Sequence, residues 1–62
     1  MRIDRVKLVA ELARQDMTQL RLAELAGISR ITVNGIVNGR SCSRKTADKI
    51  ATTLKVDLQK LI

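Results

Sequence analysis

The sequence contains no Phe, Trp, Tyr, Pro or His, and its only cysteine is Cys42. Without a second cysteine the chain cannot form an internal disulfide, and without histidine it lacks the usual zinc ligands and the usual partner of a nucleophile. No apolar run approaches the roughly 18 residues of a transmembrane helix. We therefore expect a reduced, cytoplasmic protein with no cofactor, no metal site, no membrane partner, no evident small-molecule substrate and no enzymatic activity.

The apolar residues that are present are aliphatic. They make up 45% of the 62 residues, so the core must be built from Leu, Ile, Val and Ala. Such a core suits helices packed on helices better than a sheet, and a chain of this length forms a single core. We found no internal repeat and no linker. The sequence therefore predicts one all-α domain over residues 1–62.

The charge is strongly positive and unevenly distributed. Twelve Lys and Arg residues stand against six Asp and Glu residues, a net charge of +6. No acidic residue lies between Glu24 and Asp48, and that window holds Arg30, Arg40, Arg44 and Lys45. A basic surface of this kind indicates a polyanionic partner. The alternative is a solvated basic face that serves solubility alone.

Residues 19–38 have the pattern of two short helices joined by a tight turn. Apolar residues recur at helical spacing in two runs, Leu22, Leu25 and Ala26 and then Ile28, Val33, Ile36 and Val37. Gly27 lies between the runs and can adopt the left-handed conformation that ends a helix. Thr18 and Ser29 precede the two runs and are good N-caps. The stretch therefore predicts a helix, a sharp corner and a second helix.

The flanking segments predict three more helices, five in all. We expect the first over residues 2–14, the fourth over Arg44–Leu54 with Ser43 as its cap, and a short fifth capped by Asp57. Cys42 lies in the loop before helix four, where we expect it to be exposed. The last apolar residues, Leu58, Leu61 and Ile62, either form a dimer surface or close the core.

The run MTQLRLAELAGISRITVNGIVNGR resembles the helix-turn-helix of the phage repressor and Cro-type (Xre-like) transcriptional regulators, and the likeness continues through IATTLKVDLQKLI. The resemblance implies a five-helix lambda-repressor-like domain with its motif at residues 19–38. It also implies a repressor that binds double-stranded operator DNA as a homodimer and is associated with the nucleoid. Asp16 and Lys55 depart from the family, which usually has glycine at both positions.

The resemblance further implies that helix 29–38 lies in the major groove with its outward side chains at the bases. The base-contacting candidates are Ser29, Arg30, Ile31, Thr32, Asn34 and Gly35. The phosphate-contacting candidates are Gln19, Asn38, Arg40, Arg44 and Lys45. Many relatives carry a long polar side chain at the position of Gly35. The glycine either brings the backbone close to DNA or removes one base contact.

Arg44 and Lys45 lie in the first turn of the predicted fourth helix, where the helix dipole disfavours cations. Together with Arg40 they would bring three cations to one place, which favours a phosphate partner over tolerated surface charge. A second hypothesis is a protein-interaction module, such as an antitoxin-like partner-binding protein, that kept the fold and lost specific DNA binding. Gly35 is the only residue that favours this hypothesis. The cations in the window without acidic residues argue against it.

Overall fold

The computed structural model describes all 62 residues and contains four α-helices followed by one turn of 3-10 helix. The helices are α1 (Arg5–Arg14), α2 (Gln19–Ala26), α3 (Arg30–Val37) and α4 (Arg44–Leu54), and the 3-10 helix is Leu58–Leu61. Helix α2 packs on α3 and α4, while α1 packs on α3 and the 3-10 helix. None of these helices has the length and apolar character that a membrane crossing requires.

The expectation of five α-helices is wrong in the last element. Asp57 does cap this segment, since its side chain accepts the N–H of Gln59 at 2.9 Å. The N–H of Lys60, however, donates to the carbonyl of Asp57 three residues earlier, at 2.9 Å. That spacing is the 3-10 pattern, which is common in single short turns.

Helix α1 starts at Arg5, three residues later than the predicted range of 2–14. Asp4 is its N-cap, and one carboxylate oxygen accepts the N–H groups of Val6 at 2.9 Å and Lys7 at 3.1 Å. Residues 1–4 are not helical, and the N–H of Asp4 donates to the carbonyl of Leu61 at 2.7 Å. The beginning of the chain is thereby joined to the 3-10 helix.

The core is entirely apolar and contains no buried polar side chain. Its members are Ile3, Leu8, Leu12, Leu22, Ala23, Val33, Ile36, Ala47, Ile50, Ala51, Leu54 and Leu61. Leu61 is only 1% exposed, so it closes the core and is not available as a dimer contact. Cys42, which we expected to be exposed, is half-buried and packs against the core. Burial raises the pKa of its thiol.

The buried face of α1 is narrow. Only Leu8 and Leu12 of this helix are buried, whereas Val6 is 71% exposed and Val9 is also exposed. Val6 and Val9 border a shallow groove together with Arg5 and Val37 of α3. An apolar strip of α1 therefore remains in contact with solvent.

A polar contact joins α1 to the end of α4. The Glu11 carboxylate accepts a hydrogen bond from Gln15 Nε2 at 2.7 Å and another from Arg14, and Gln15 Nε2 also lies 2.7 Å from the carbonyl of Leu54. These hydrogen bonds, that of Arg14 first, hold the pKa of Glu11 below its ordinary value of 4.5. The ionised carboxylate therefore stabilises the folded chain.

The first prediction concerns this carboxylate and pH. Since the pKa of Glu11 is lowered by folding, its contribution is complete above the unfolded value near 4.5 and is lost as pH falls through the folded value. We expect Glu11→Gln to be less stable than the parent at pH 7 and to lose less stability between pH 7 and acid. Urea unfolding of both proteins across that range measures the difference, and parallel curves would contradict the prediction.

Two corners of the chain hold non-glycine residues in the left-handed conformation. Asp16 follows α1 with φ of 53°, and Lys55 ends α4 with φ of 58°. This conformation costs an L-residue about 1–2 kcal/mol, and glycine adopts it without that cost. The two departures from the family's usual glycines are therefore points of backbone strain.

We expect Lys55→Gly to stabilise the protein by about 0.5–1 kcal/mol, because the relieved strain exceeds the added freedom of the unfolded chain. In a domain of this size that corresponds to a melting temperature several degrees higher. Lys49→Gly is the matched control. It removes an exposed lysine from the interior of α4 and should destabilise by about 1 kcal/mol. Equal effects of the two substitutions on thermal unfolding would contradict the prediction.

Candidate nucleic-acid interface

The angle between α2 and α3 is set by a left-handed turn. Gly27 has φ of 69° and ψ of 32°, and the N–H of Ile28 donates to the carbonyl of Ala23 at 3.1 Å. Ala23 is buried on α2, whose main packing partners are α3 and α4. A small side chain there lets the two helices approach closely. The predicted helix, corner and helix are present at residues 19–37.

Helices α2, α3 and α4 each begin at a residue whose hydroxyl group is the N-cap, as the sequence predicted. Thr18 Oγ1 accepts the N–H of Arg21 at 3.0 Å at the start of α2. Ser29 Oγ accepts the N–H of Thr32 at 3.0 Å and bonds to its hydroxyl at 2.8 Å at the start of α3. Ser43 caps α4 in the same way through Thr46. The three caps fix where each helix presents its first exposed residues.

The base-contacting candidates divide into two groups on α3. Ser29, Arg30, Ile31 and Asn34 are exposed, whereas Thr32 and Gly35 are half-buried. Ile31 is 80% exposed, the highest value of any large apolar residue in the chain. The hydroxyls of Ser29 and Thr32 are bonded to each other and take part in the cap. The most accessible side chains on α3 are therefore Arg30, Ile31 and Asn34.

Asn38 ends α3 and is coupled to Asn34. Its side-chain amide donates to the carbonyl of Asn34 at 2.9 Å and lies 3.5 Å from the Asn34 side-chain oxygen. Asn38 is exposed, whereas Gln19, the first residue of α2, is half-buried. Gln19 lies at the N-terminal end of α2, where free backbone N–H groups can join it in holding an anion, whereas Asn38 lies at the carbonyl end of α3.

Arg44 and Lys45 border an open groove of about 600 Å³ between α4 and the end of α2. Its lining residues are Ala26, Arg44, Lys45, Asp48, Lys49, Thr52 and Thr53. Arg44 Nε lies 3.3 Å from the Asp48 carboxylate, but both side chains are more than half exposed, so this ion pair is weak. Lys49 adds a third cation that the sequence reasoning missed, although helical spacing from Lys45 would have found it.

Arg40 is not grouped with these residues. Instead its side chain lies against Gly35 of α3, since a Cβ added to that glycine would be 3.2 Å from Arg40 Cδ. Of the three cations expected to converge, Arg40 contacts Gly35, and Arg44 and Lys45 line the groove along α4. Arg40 belongs with α3, and the other two belong with the groove along α4.

Ion pairs leave most of the basic residues free. The three pairs of the chain join Arg14 to Glu11, Arg21 to Glu24 and Arg44 to Asp48. None of them involves Arg30, Arg40 or Lys45, and all three of these side chains are exposed. No ion pair within the chain therefore neutralises the positive charge of these three side chains.

A family model described as helix-turn-helix matches residues 7–61. Comparison with curated proteins finds no match. Among solved structures, the chain is similar to native PhpD with cadmium atoms, with a TM-score of 0.85, and to a point mutant of a hydroxyethylphosphonate dioxygenase, with a TM-score of 0.88. Each is 26% identical and covers 100% of this chain. The chain spans only 13% and 14% of those two proteins.

The cap of α3 generates a stability prediction. Ser29→Ala removes the acceptor for the N–H of Thr32 and should destabilise the protein by about 1 kcal/mol. Ser41→Ala is the control, because Ser41 is an exposed loop residue whose side chain makes no hydrogen bond in the structure. Chemical unfolding of both variants measures the contrast. If Ser41→Ala lowers the stability as much as Ser29→Ala does, the prediction that the cap stabilises α3 is wrong.

Proposed function

Because the chain belongs to the Xre/Cro-like helix-turn-helix family, we propose that it is a sequence-specific DNA-binding transcription regulator that acts as a repressor. In this proposal α3 enters the major groove of the operator and excludes polymerase. The observation that carries it is the outward face of α3, where exposed Arg30 lies beside Ile31 and has no ion pair within the chain.

The residue types on this face suit base recognition. Arginine donates two hydrogen bonds to O6 and N7 of guanine, and asparagine pairs with N6 and N7 of adenine. An aliphatic side chain contacts the methyl group of thymine, which gives a role to Ile31 at 80% exposure. We assign base contacts to Arg30, Ile31 and Asn34 first, and to Ser29 and Thr32 after them, since their hydroxyls already bond to each other.

Phosphate contacts are assigned to residues that flank α3. Gln19 and Asn38 lie at helix ends, and Arg44 and Lys45 lie in the first turn of α4. Cations at a helix N-terminus are disfavoured by the dipole unless an anion binds there. A DNA phosphate is the anion that explains both residues.

The proposal includes a homodimer on a two-fold operator, the usual arrangement for recognition helices that each read one half-site. Of the three terminal residues considered, Leu58 is half-buried and Ile62 is exposed, so these two remain for a contact between copies. The proposal includes no catalysis. The pKa of the Cys42 thiol is raised by burial, the opposite of what an activated nucleophile requires.

The second candidate is a module that kept the helix-turn-helix fold without binding DNA. It is favoured by one observation, the 26% identity to segments of PhpD and of a hydroxyethylphosphonate dioxygenase, in which this fold makes up 13% and 14% of the chain. Binding to random duplex DNA separates the two candidates. A DNA-binding protein has an affinity that falls steeply with salt, because released counterions accompany each neutralised phosphate.

The proposal predicts that substitutions of base-contacting and phosphate-contacting residues have different effects on DNA binding. Arg30→Ala should cost roughly 1–3 kcal/mol on a selected site and leave random DNA nearly unaffected. Lys45→Ala should weaken both kinds of DNA alike and reduce the salt slope by about one unit. Lys60→Ala is the charge-matched control, since Lys60 lies on the 3-10 helix near Glu11 and outside the proposed interface.

The measurement is binding of each variant to the selected and random duplexes at several salt concentrations. Equal losses on both duplexes for Arg30→Ala and Lys45→Ala would remove the distinction between base and phosphate contacts. A loss with Lys60→Ala as large as with Lys45→Ala would show that only total charge matters. No salt-dependent binding to any duplex would favour the second candidate.

A further inference from the structure

The end of α3 turns the chain back over the helix. Asn38 is the C-cap of α3, and Gly39 follows it with φ of 96°. The N–H of Gly39 donates to the carbonyl of Ile36 at 3.0 Å, and the N–H of Arg40 donates to the carbonyl of Gly35 at 2.9 Å. This pair of hydrogen bonds is the Schellman motif, which directs the residue after the glycine toward the preceding turns. The backbone of Arg40 is therefore fixed beside Gly35.

The side chain of Arg40 occupies the place that a side chain at position 35 would take. A Cβ on Gly35 would lie 3.2 Å from Arg40 Cδ, 3.8 Å from its Cβ and 3.9 Å from its Cγ. All three of these nearest atoms belong to the aliphatic stem of Arg40 and none to its guanidinium. The Arg40 side chain is exposed and makes neither an ion pair nor a hydrogen bond within the chain.

Gly35 is on the part of α3 that bears the candidate base contacts. It follows Ile31 by four residues, which places the two one turn apart on the same side of the helix. The buried Val33 lies on the opposite side of the helix, and the buried Ile36 lies about 100° around the helix from Gly35, which is half-buried. The stem of Arg40 therefore covers Gly35 on the same side of α3 as Ile31, and its guanidinium is within reach of that surface.

We propose that Arg40 is a specificity-determining residue that reads a base in place of the side chain missing at Gly35. This inference rests on the proposed function, and it replaces the sequence-based expectation that Arg40 contacts a phosphate. The chemistry that fits is guanine, whose O6 and N7 accept two hydrogen bonds from a guanidinium. Gly35 positions Arg40 by leaving space for its stem.

The test begins with a site selected by the full chain from a random duplex library. Arg40→Lys keeps the positive charge but loses the planar guanidinium with its two parallel donors. It therefore separates recognition of a base from contact with a phosphate. A base-reading Arg40 predicts that Arg40→Lys weakens the selected site roughly 5- to 150-fold while random DNA is unaffected. Repeating the selection with Arg40→Lys should give a relaxed preference at one base pair. Arg14→Lys is the matched control, because Arg14 is exposed, pairs with Glu11 on α1 and has no assigned DNA contact, and it should change neither.

Gly35→Ala tests the positioning step without removing the arginine. The added methyl group requires Arg40 Cδ to shift by a few tenths of an ångström, which a flexible side chain can do. The variant should melt at or above the parent temperature, because alanine favours the helix more than glycine does. It should nevertheless lose preference at the same base pair as Arg40→Lys. The double variant should lose no more than Arg40→Lys alone.

Two results would overturn this inference while leaving the proposed function intact. In one, Arg40→Lys binds the selected and random duplexes as the parent does, and Arg40→Ala weakens both alike. In the other, Gly35→Ala keeps the parent preference at the base pair that Arg40 reads. If the parent itself selects no preferred site, the proposed function fails and this inference fails with it.

Discussion

The left-handed backbone at Gly27 is the constraint on which the exposed surface of α3 depends. A Cβ at this residue would meet no atom within 4 Å, so crowding does not explain the glycine. The requirement is the φ of 69° itself, which costs any other L-residue about 1–2 kcal/mol. With that turn formed, the apolar sides of α2 and α3 contribute Leu22, Val33 and Ile36 to one core. The opposite side of α3 is then held in a single orientation toward solvent.

Local signals in the sequence predicted much of this fold. Hydroxyl side chains at Thr18, Ser29 and Ser43 mark the starts of α2, α3 and α4, because each accepts a backbone N–H that the first helical turn leaves free. The bounds of α4 agree with the prediction for the same reason. Asp4 is an equally good cap for α1, and the continuous run of helix-forming residues around it concealed that signal. Caps are predictable because each one involves neighbours three residues away.

Features that depend on distant residues were not predictable in the same way. The non-helical start of the chain is held by a hydrogen bond between Asp4 and Leu61, which no local pattern encodes. For the candidate site, the sequence identified the residue types on α3 but not the position of Arg40. That position follows from the turn at Gly39 and from the missing side chain at Gly35 together. Helical periodicity assigns residue 35 to α3 and residue 40 to the following loop. In the fold, the side chain of Arg40 lies against Gly35.

The hydrogen bond between Asp4 and Leu61 has an architectural consequence. The N–H and carbonyl involved are 2.7 Å apart, so the chain enters and leaves this helical unit at adjacent points. A unit with adjacent ends can interrupt a surface loop of a larger protein without forcing that loop to open. The geometry that permits such an insertion resides in one backbone contact, with no contribution from the side chains of α3.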